Sequence, residues 1–133
     1  MDYASQPQRV PYILDEFGYF WETPFDTTDP NFQQCTIDRP RILPSTPAWY
    51  KAGVEQRMYI VNHYLDTKFA GVEVPDRRDA GKTNAADGNP SSIMTHVRLC
   101  EKLHGGNKPS VVLVDYFDRG SVKKAEAALN GLE

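Results

Sequence analysis

Several things are scarce in this sequence, and each scarcity closes off a class of protein. Two cysteines, Cys35 and Cys100, among 133 residues are too few for a disulfide-built scaffold. Whether they pair or stand apart is open, since sequence alone does not establish proximity. No run approaches about eighteen consecutive apolar residues, so no membrane-spanning helix is expected. The first residues are polar and acidic with no apolar stretch behind them, so no signal peptide is expected there. Neither charge sign dominates: 15 Lys and Arg against 18 Asp and Glu leave a net charge of -3. That balance gives no support to a nucleic-acid or polyanion partner. The three histidines, His63, His96 and His104, show no spacing with the cysteines that matches a zinc pattern, and no metal or cofactor is expected. There is no internal repeat and no low-complexity tract.

What remains is the composition of one ordinary globular domain, 40% hydrophobic and 25% charged. Its organising stretch is residues 110–120, Ser-Val-Val-Leu-Val-Asp-Tyr-Phe-Asp-Arg-Gly. An unbroken valine-rich run fits a strand covered on both faces, the habit of parallel sheets beneath helices. Met58-Tyr59-Ile60-Val61, within 56–65 and ending in Asn62-His63, has the same layout, and a further strand is expected over 19–23 after a short helix over 12–17. Residues 27–57 and 66–88 read as long loops, rich in proline, charge and turn formers. Asn89-Pro90 suits a helix start, with Ile93, Val97, Cys100 and Leu103 on one face. A last helix follows a Ser121 cap, with Val122, Ala125 and Leu129 inward and Gly131 as its stop. The second half thus reads strand, crossover with helix, strand, helix: an α/β arrangement with parallel strands.

In such folds chemistry gathers at the carboxyl ends of the strands. Asp115 lies there, although a strand-ending Asp that caps a turn is equally common. Asp118 could pair with it for acid–base work, but a spacing of three puts the two on opposite faces of an extended strand. His63 falls at the mouth of the second strand, either as a site residue or as a satisfied structural histidine. Trp21-Glu22 has the look of a carbohydrate-contacting pair, against the commoner reading of an aromatic core. Gly81-Lys82-Thr83 invites a P-loop reading, yet Asp76 stands where that motif needs its first glycine and would repel a phosphate. No Gly-x-Ser-x-Gly elbow is present.

Taken together, seven ordered segments resemble fungal phospholipase-C-like phosphodiesterases, relatives of the phosphatidylinositol-specific phospholipase C X domain. They are Pro11-Tyr12-Ile13-Leu14-Asp15-Glu16-Phe17, Trp21-Glu22-Thr23-Pro24-Phe25, Cys35-Thr36-Ile37-Asp38-Arg39-Pro40, Val61-Asn62-His63, Val74-Pro75-Asp76-Arg77, Lys108-Pro109 through Val114-Asp115, and 123–131 ending Leu129-Asn130-Gly131. Residues 1–4 also resemble the end of an interior strand of that family.

The resemblance implies that residues 1–133 form the C-terminal part of a (β/α)₈ barrel, roughly its last three strands with their helices. Such a barrel runs to about 250 residues. It further implies phosphoric diester hydrolysis, on phosphatidylinositol or a related inositol phosphodiester. In the bacterial-type enzymes two histidines act as base and acid and an arginine stabilises the phosphate. Those three groups belong to the family's N-terminal half, and none of the three histidines here matches them. Asp115 resembles the last-strand carboxylate that orients the catalytic base, while Glu22, His63 and Trp21 are expected to line a substrate pocket. The expectation is a catalytically incomplete chain, with self-association through an open barrel edge and an extracellular location for full-length relatives. The alternatives are a non-catalytic binding or half-barrel assembly module, and a small-ligand enzyme working through Asp115 and His63.

Overall fold

A computed structural model describes residues 6–132. The strand end expected at residues 1–4 lies outside the described residues. Three short strands, β1 (Phe20–Glu22), β2 (Met58–Asn62) and a later one, Val111–Leu113, pair in parallel with β2 in the middle. All three fall where the apolar runs place them, the last stopping at Leu113, one residue before its run ends at Val114.

Side chains alternate across a strand, and this sorts the sheet into two unlike faces. Trp21 is in register with Tyr59, and the two rings stack with centroids 4.5 Å apart. With Val61, Val54 and both cysteines they form a core cluster on the helix-covered face. Glu22, Ile60, Asn62, Val111 and Leu113 take the other positions; Leu113 is 43% exposed there. On that face Glu22, Ile60 and Asn62 are buried, and it is the β5 positions that lie open.

The long 27–57 segment is more ordered than its prolines suggest. It contains a helix, α2 (Ala48–Glu55), whose Val54 is fully buried. An isolated antiparallel bridge joins Glu22 to Arg39 and covers the outer edge of β1. Cys35 is disulfide-bonded to Cys100, with Cα atoms 5.2 Å apart, which ties the loop to the long helix behind the sheet. The 66–88 segment, expected to be irregular, contains a hairpin of β3 (Asp66–Phe69) and β4 (Val72–Pro75). Ala70 and Gly71 both have positive φ, the two-residue turn that suits the twist of a hairpin. One helical turn, α3 (Ala80–Thr83), occupies the stretch that superficially resembled a P-loop.

The helices shift by a few residues from expectation for identifiable reasons. The first, α1 (Glu16–Tyr19), starts later than 12–17 and includes Gly18. The long helix α4 (Ile93–Leu103) begins after Ser92, not Asn89. Asn89 instead builds the turn before it, accepting from Ser91 N at 2.8 Å through Oδ1 and from the Ser92 and Thr95 hydroxyls through its carbonyl. After β5 (Val111–Leu113), Ser121 does precede α5 (Val122–Leu129), but its hydroxyl accepts from Ala86 N at 2.8 Å instead of capping its own helix. Ala86, Ile93, Val97 and Ala125 form the second core cluster, between α4 and α5.

Candidate functional site at the carboxyl edge of the sheet

The carboxyl ends of β1, β2 and β5 bring Glu22, Asn62 and Asp115 onto the same side of the sheet. Asn62 knits the first two strand ends together. Its Nδ2 donates to Glu22 Oε2 at 3.2 Å and to the Thr23 carbonyl at 2.7 Å, and its backbone N–H donates to Thr23 Oγ1 at 2.9 Å. The other Glu22 carboxylate oxygen is ion-paired with Arg39 Nε. The Arg39 guanidinium in turn lies 4.4 Å from the centre of the Phe25 ring. Glu22 is 3% exposed and held on both oxygens, as a buried carboxylate must be. It is a fixed anion, and Arg39 is committed to it.

Asp115 is half-buried beside this pair. Its carbonyl and that of Tyr116 accept from Asn84 Nδ2 at 2.6 and 3.2 Å, so a buried amide fixes the backbone where β5 ends. Tyr64 stands among the acids. Burial, followed by the charges of Asp26, Glu22, Asp66 and Asp115, pushes its hydroxyl up to about 12. Burial likewise raises the Asp66 carboxyl, with Asp26, Asp115 and Glu73 adding to the effect. The mouth is negative. Such a place accepts the N–H of an imidazole and stabilises an imidazolium, but an anionic diester needs cationic groups beyond those it holds.

His63 is not in this mouth. By alternation it sits on the helix-covered face, opposite Asp115, and it is fully buried. Its Nδ1 lies 3.0 Å from His96 Nδ1, its Nε2 lies 2.9 Å from the Thr83 carbonyl, and Phe32 packs on its ring at 4.2 Å. Burial is the main cause that lowers it to about 4. The expectation that His63 lines the pocket is therefore corrected, and the alternative of an enzyme working through Asp115 and His63 fails with it, because the sheet separates the two. Trp21 is corrected too. It is fully buried and stacked on Tyr59, a core aromatic out of reach of a substrate. Asp118 is exposed in the turn beyond the strand. Glu22 and Asp115 lie at the carboxyl ends of β1 and β5, on either side of β2, and near them stand Asn62, Arg39, Tyr64 and Asn84, which sequence reasoning did not single out as site residues. Asn62 stood in plain sight beside His63; Arg39 and Asn84 lie in loops with no local signal of what they hold.

The family model PI-PLC X 1 matches residues 1–130. The chain belongs to the PI-PLC X family. This PI-PLC X chain is 46% identical over 132 residues to PI-PLC X domain-containing protein 1 of Arthroderma benhamiae, covering 99% of the chain and 40% of that relative. It is 39% identical over 140 residues to an uncharacterized secreted protein of the same fungus, covering 99% of the chain and 30% of that relative. It thus spans less than half the length of either. No solved structure matches it. Among the described residues of this PI-PLC X chain, no helix is long and apolar enough to cross a membrane.

Proposed function

We propose that this chain is the closing part of a phospholipase-C-like phosphodiesterase barrel, cleaving the phosphoric diester of phosphatidylinositol or a related inositol lipid only when the rest of the barrel is present. The observation that carries the proposal is the family match over nearly the whole chain, together with Glu22 and Asp115 at the carboxyl edge of a parallel sheet. Asp115 then orients the imidazole of a catalytic base supplied by the missing strands. Glu22, fixed by Arg39 and Asn62, lines the pocket.

The charge of the mouth favours an incomplete site. Arg39 is spent on Glu22, and His63 is buried on the far face, so these residues offer no free cation to a phosphate and no accessible base. The uncovered side of β5 favours an incomplete barrel. Among the described residues β5 pairs only with β2, and beside it runs a groove of about 300 Å³ whose lining includes Val111, Val112, Val122 and Leu129 together with Lys108 and Glu126. In the full-length protein a neighbouring strand and helix cover this flank; in the isolated chain a second copy does. That one of the two relatives is a secreted protein supports an extracellular location for the whole protein.

The test is incubation of the purified chain with vesicles containing phosphatidylinositol, with light scattering of the same preparation after size exclusion. The expected result is no release of inositol phosphate and mass above that of a monomer. Protein-dependent, saturable release would overturn the incomplete-site reading. A monodisperse monomer would overturn the open-flank reading.

A further inference from the structure

The other face of the sheet carries a cluster that the mouth does not use. Cys35, His96 and Cys100 place their ligand atoms within 4.8 Å of one another, and all three are buried. His63 stands next to the cluster, its Nδ1 3.0 Å from His96 Nδ1, but is not part of it. The three donors are drawn from the 27–57 loop and α4.

Three features distinguish it from an accidental gathering. His96 and Cys100 are four residues apart on α4, the spacing at which two ligands on one helix face reach one metal. Each imidazole has its outer nitrogen at a backbone carbonyl: His63 Nε2 at 2.9 Å from Thr83 O, His96 Nε2 at 3.2 Å from Gln34 O. Metal-bound histidines are held in this way, with the second N–H donated to a carbonyl. The two Nδ1 atoms face each other at 3.0 Å, so either one ring carries a hydrogen there and gives up its bond to the carbonyl, or a positive species sits beside them. The donor set is two sulfurs and one imidazole nitrogen with no carboxylate, which selects zinc-like ions over magnesium or calcium.

We infer that reduction of the Cys35–Cys100 disulfide converts this cluster into a tetrahedral site for a zinc-class divalent ion, held by Cys35, Cys100 and His96 with a water in the fourth position. The reductant is a dithiol. It gives two electrons and two protons to the Sγ–Sγ bond, leaving two cysteine thiols, and is itself oxidised to a disulfide. The metal then displaces the two thiol protons, and two thiolates neutralise its double charge, so the buried site carries no net charge. One set of residues thus fastens the 27–57 loop to α4 in two exclusive ways, by a covalent bond under oxidising conditions and by a metal under reducing ones.

The experiment uses the whole chain, reduced with a water-soluble phosphine that does not compete for metal and refolded with cobalt(II). One equivalent of cobalt is expected to give the visible bands of a tetrahedral ion with thiolate charge transfer, absent from the oxidised chain. His96→Ala is expected to weaken binding by about 100-fold. X-ray absorption of the zinc-loaded wild-type chain, which needs no variant to fold, is expected to show two sulfur and two nitrogen or oxygen neighbours. Failure of the reduced chain to take up one equivalent would overturn the site and leave a shared proton as the species between the rings. Coordination by sulfur alone, or equal affinity in His96→Ala, would reduce it to adventitious binding by two thiols.

Discussion

Gly120 lies so close to Asn84 that a methyl group placed on its Cα would come within 2.5 Å of the Asn84 carbonyl oxygen. The same carbonyl accepts from Ser121 N at 2.8 Å, while the Asn84 side chain holds the carbonyls of Asp115 and Tyr116. Asn84 therefore locks the strand end that carries Asp115 to the start of α5. Gly120, at φ +78°, is the residue that lets the chain pass. Gly120→Ala meets both a backbone clash and a disfavoured φ, and is expected to cost at least about 2 kcal/mol. Denaturant unfolding checks this; a variant as stable as the parent would show that the approach is not held in solution.

The Cys35–Cys100 bond closes a loop across a sequence separation of 65 residues. The loop-entropy relation gives such a closure about 4 kcal/mol. The Cys35→Ala, Cys100→Ala double variant is expected to lose most of that, measured by denaturant midpoint with a chelator present so that no metal substitutes. A loss below about 1 kcal/mol would mean that the unfolded chain is not the state the bond constrains.

Asp66 gives a pH dependence whose sign can be worked out. Burial and neighbouring acids raise its carboxyl above the unfolded value. The folded state then holds its proton more tightly, so this group's contribution is fully present below the unfolded value and is lost as pH rises through the raised folded one. At neutral pH the ionised Asp66 is a burden. Asp66→Asn is expected to raise the Tm at pH 7, with the gain shrinking to nothing in acid below the carboxyl range. A variant less stable than the parent at pH 7 would reveal an ionic partner that the fold does not show.

Trp21 separates a core role from a substrate-binding one. Fully buried and stacked on Tyr59, it is expected to cost about 3–5 kcal/mol when replaced by alanine. In a full-length relative, replacement by phenylalanine at the matching position is expected to lower thermal stability while leaving the KM for inositol lipid unchanged. A raised KM with unchanged stability would return Trp21 to the mouth.

How much of this was legible depends on range. β2 and β5 were visible because a run of β-branched and aromatic residues stops at polar ones, a purely local signal. α4 and α5 were visible from their one-sided apolar spacing. α2 was hidden by Pro44 and Pro47, yet Pro47 stands at its N-cap, where a missing N–H costs nothing. The β3–β4 hairpin was hidden because its turn is Ala-Gly rather than Asn-Gly and its strands hold few apolar residues. His63 was misplaced because alternation decides its face, and the parity of a strand is not fixed until its buried partner is known. The Cys35–Cys100 contact joins a loop to a distant helix, which no local pattern encodes. The spacing of His96 and Cys100 is local, but two residues four apart match no zinc pattern until the fold brings Cys35 beside them.

The central claim is that the chain closes a barrel whose reactive groups lie in the part of the relatives it does not span. The most direct measurement mixes this chain with a separately expressed polypeptide covering the rest of PI-PLC X domain-containing protein 1 of Arthroderma benhamiae, and follows inositol phosphate release from phosphatidylinositol vesicles. The account predicts no release by either piece alone, release by the mixture, and its loss with Asp115→Ala in this chain. Release by this chain alone, unaffected by Asp115→Ala, would contradict it.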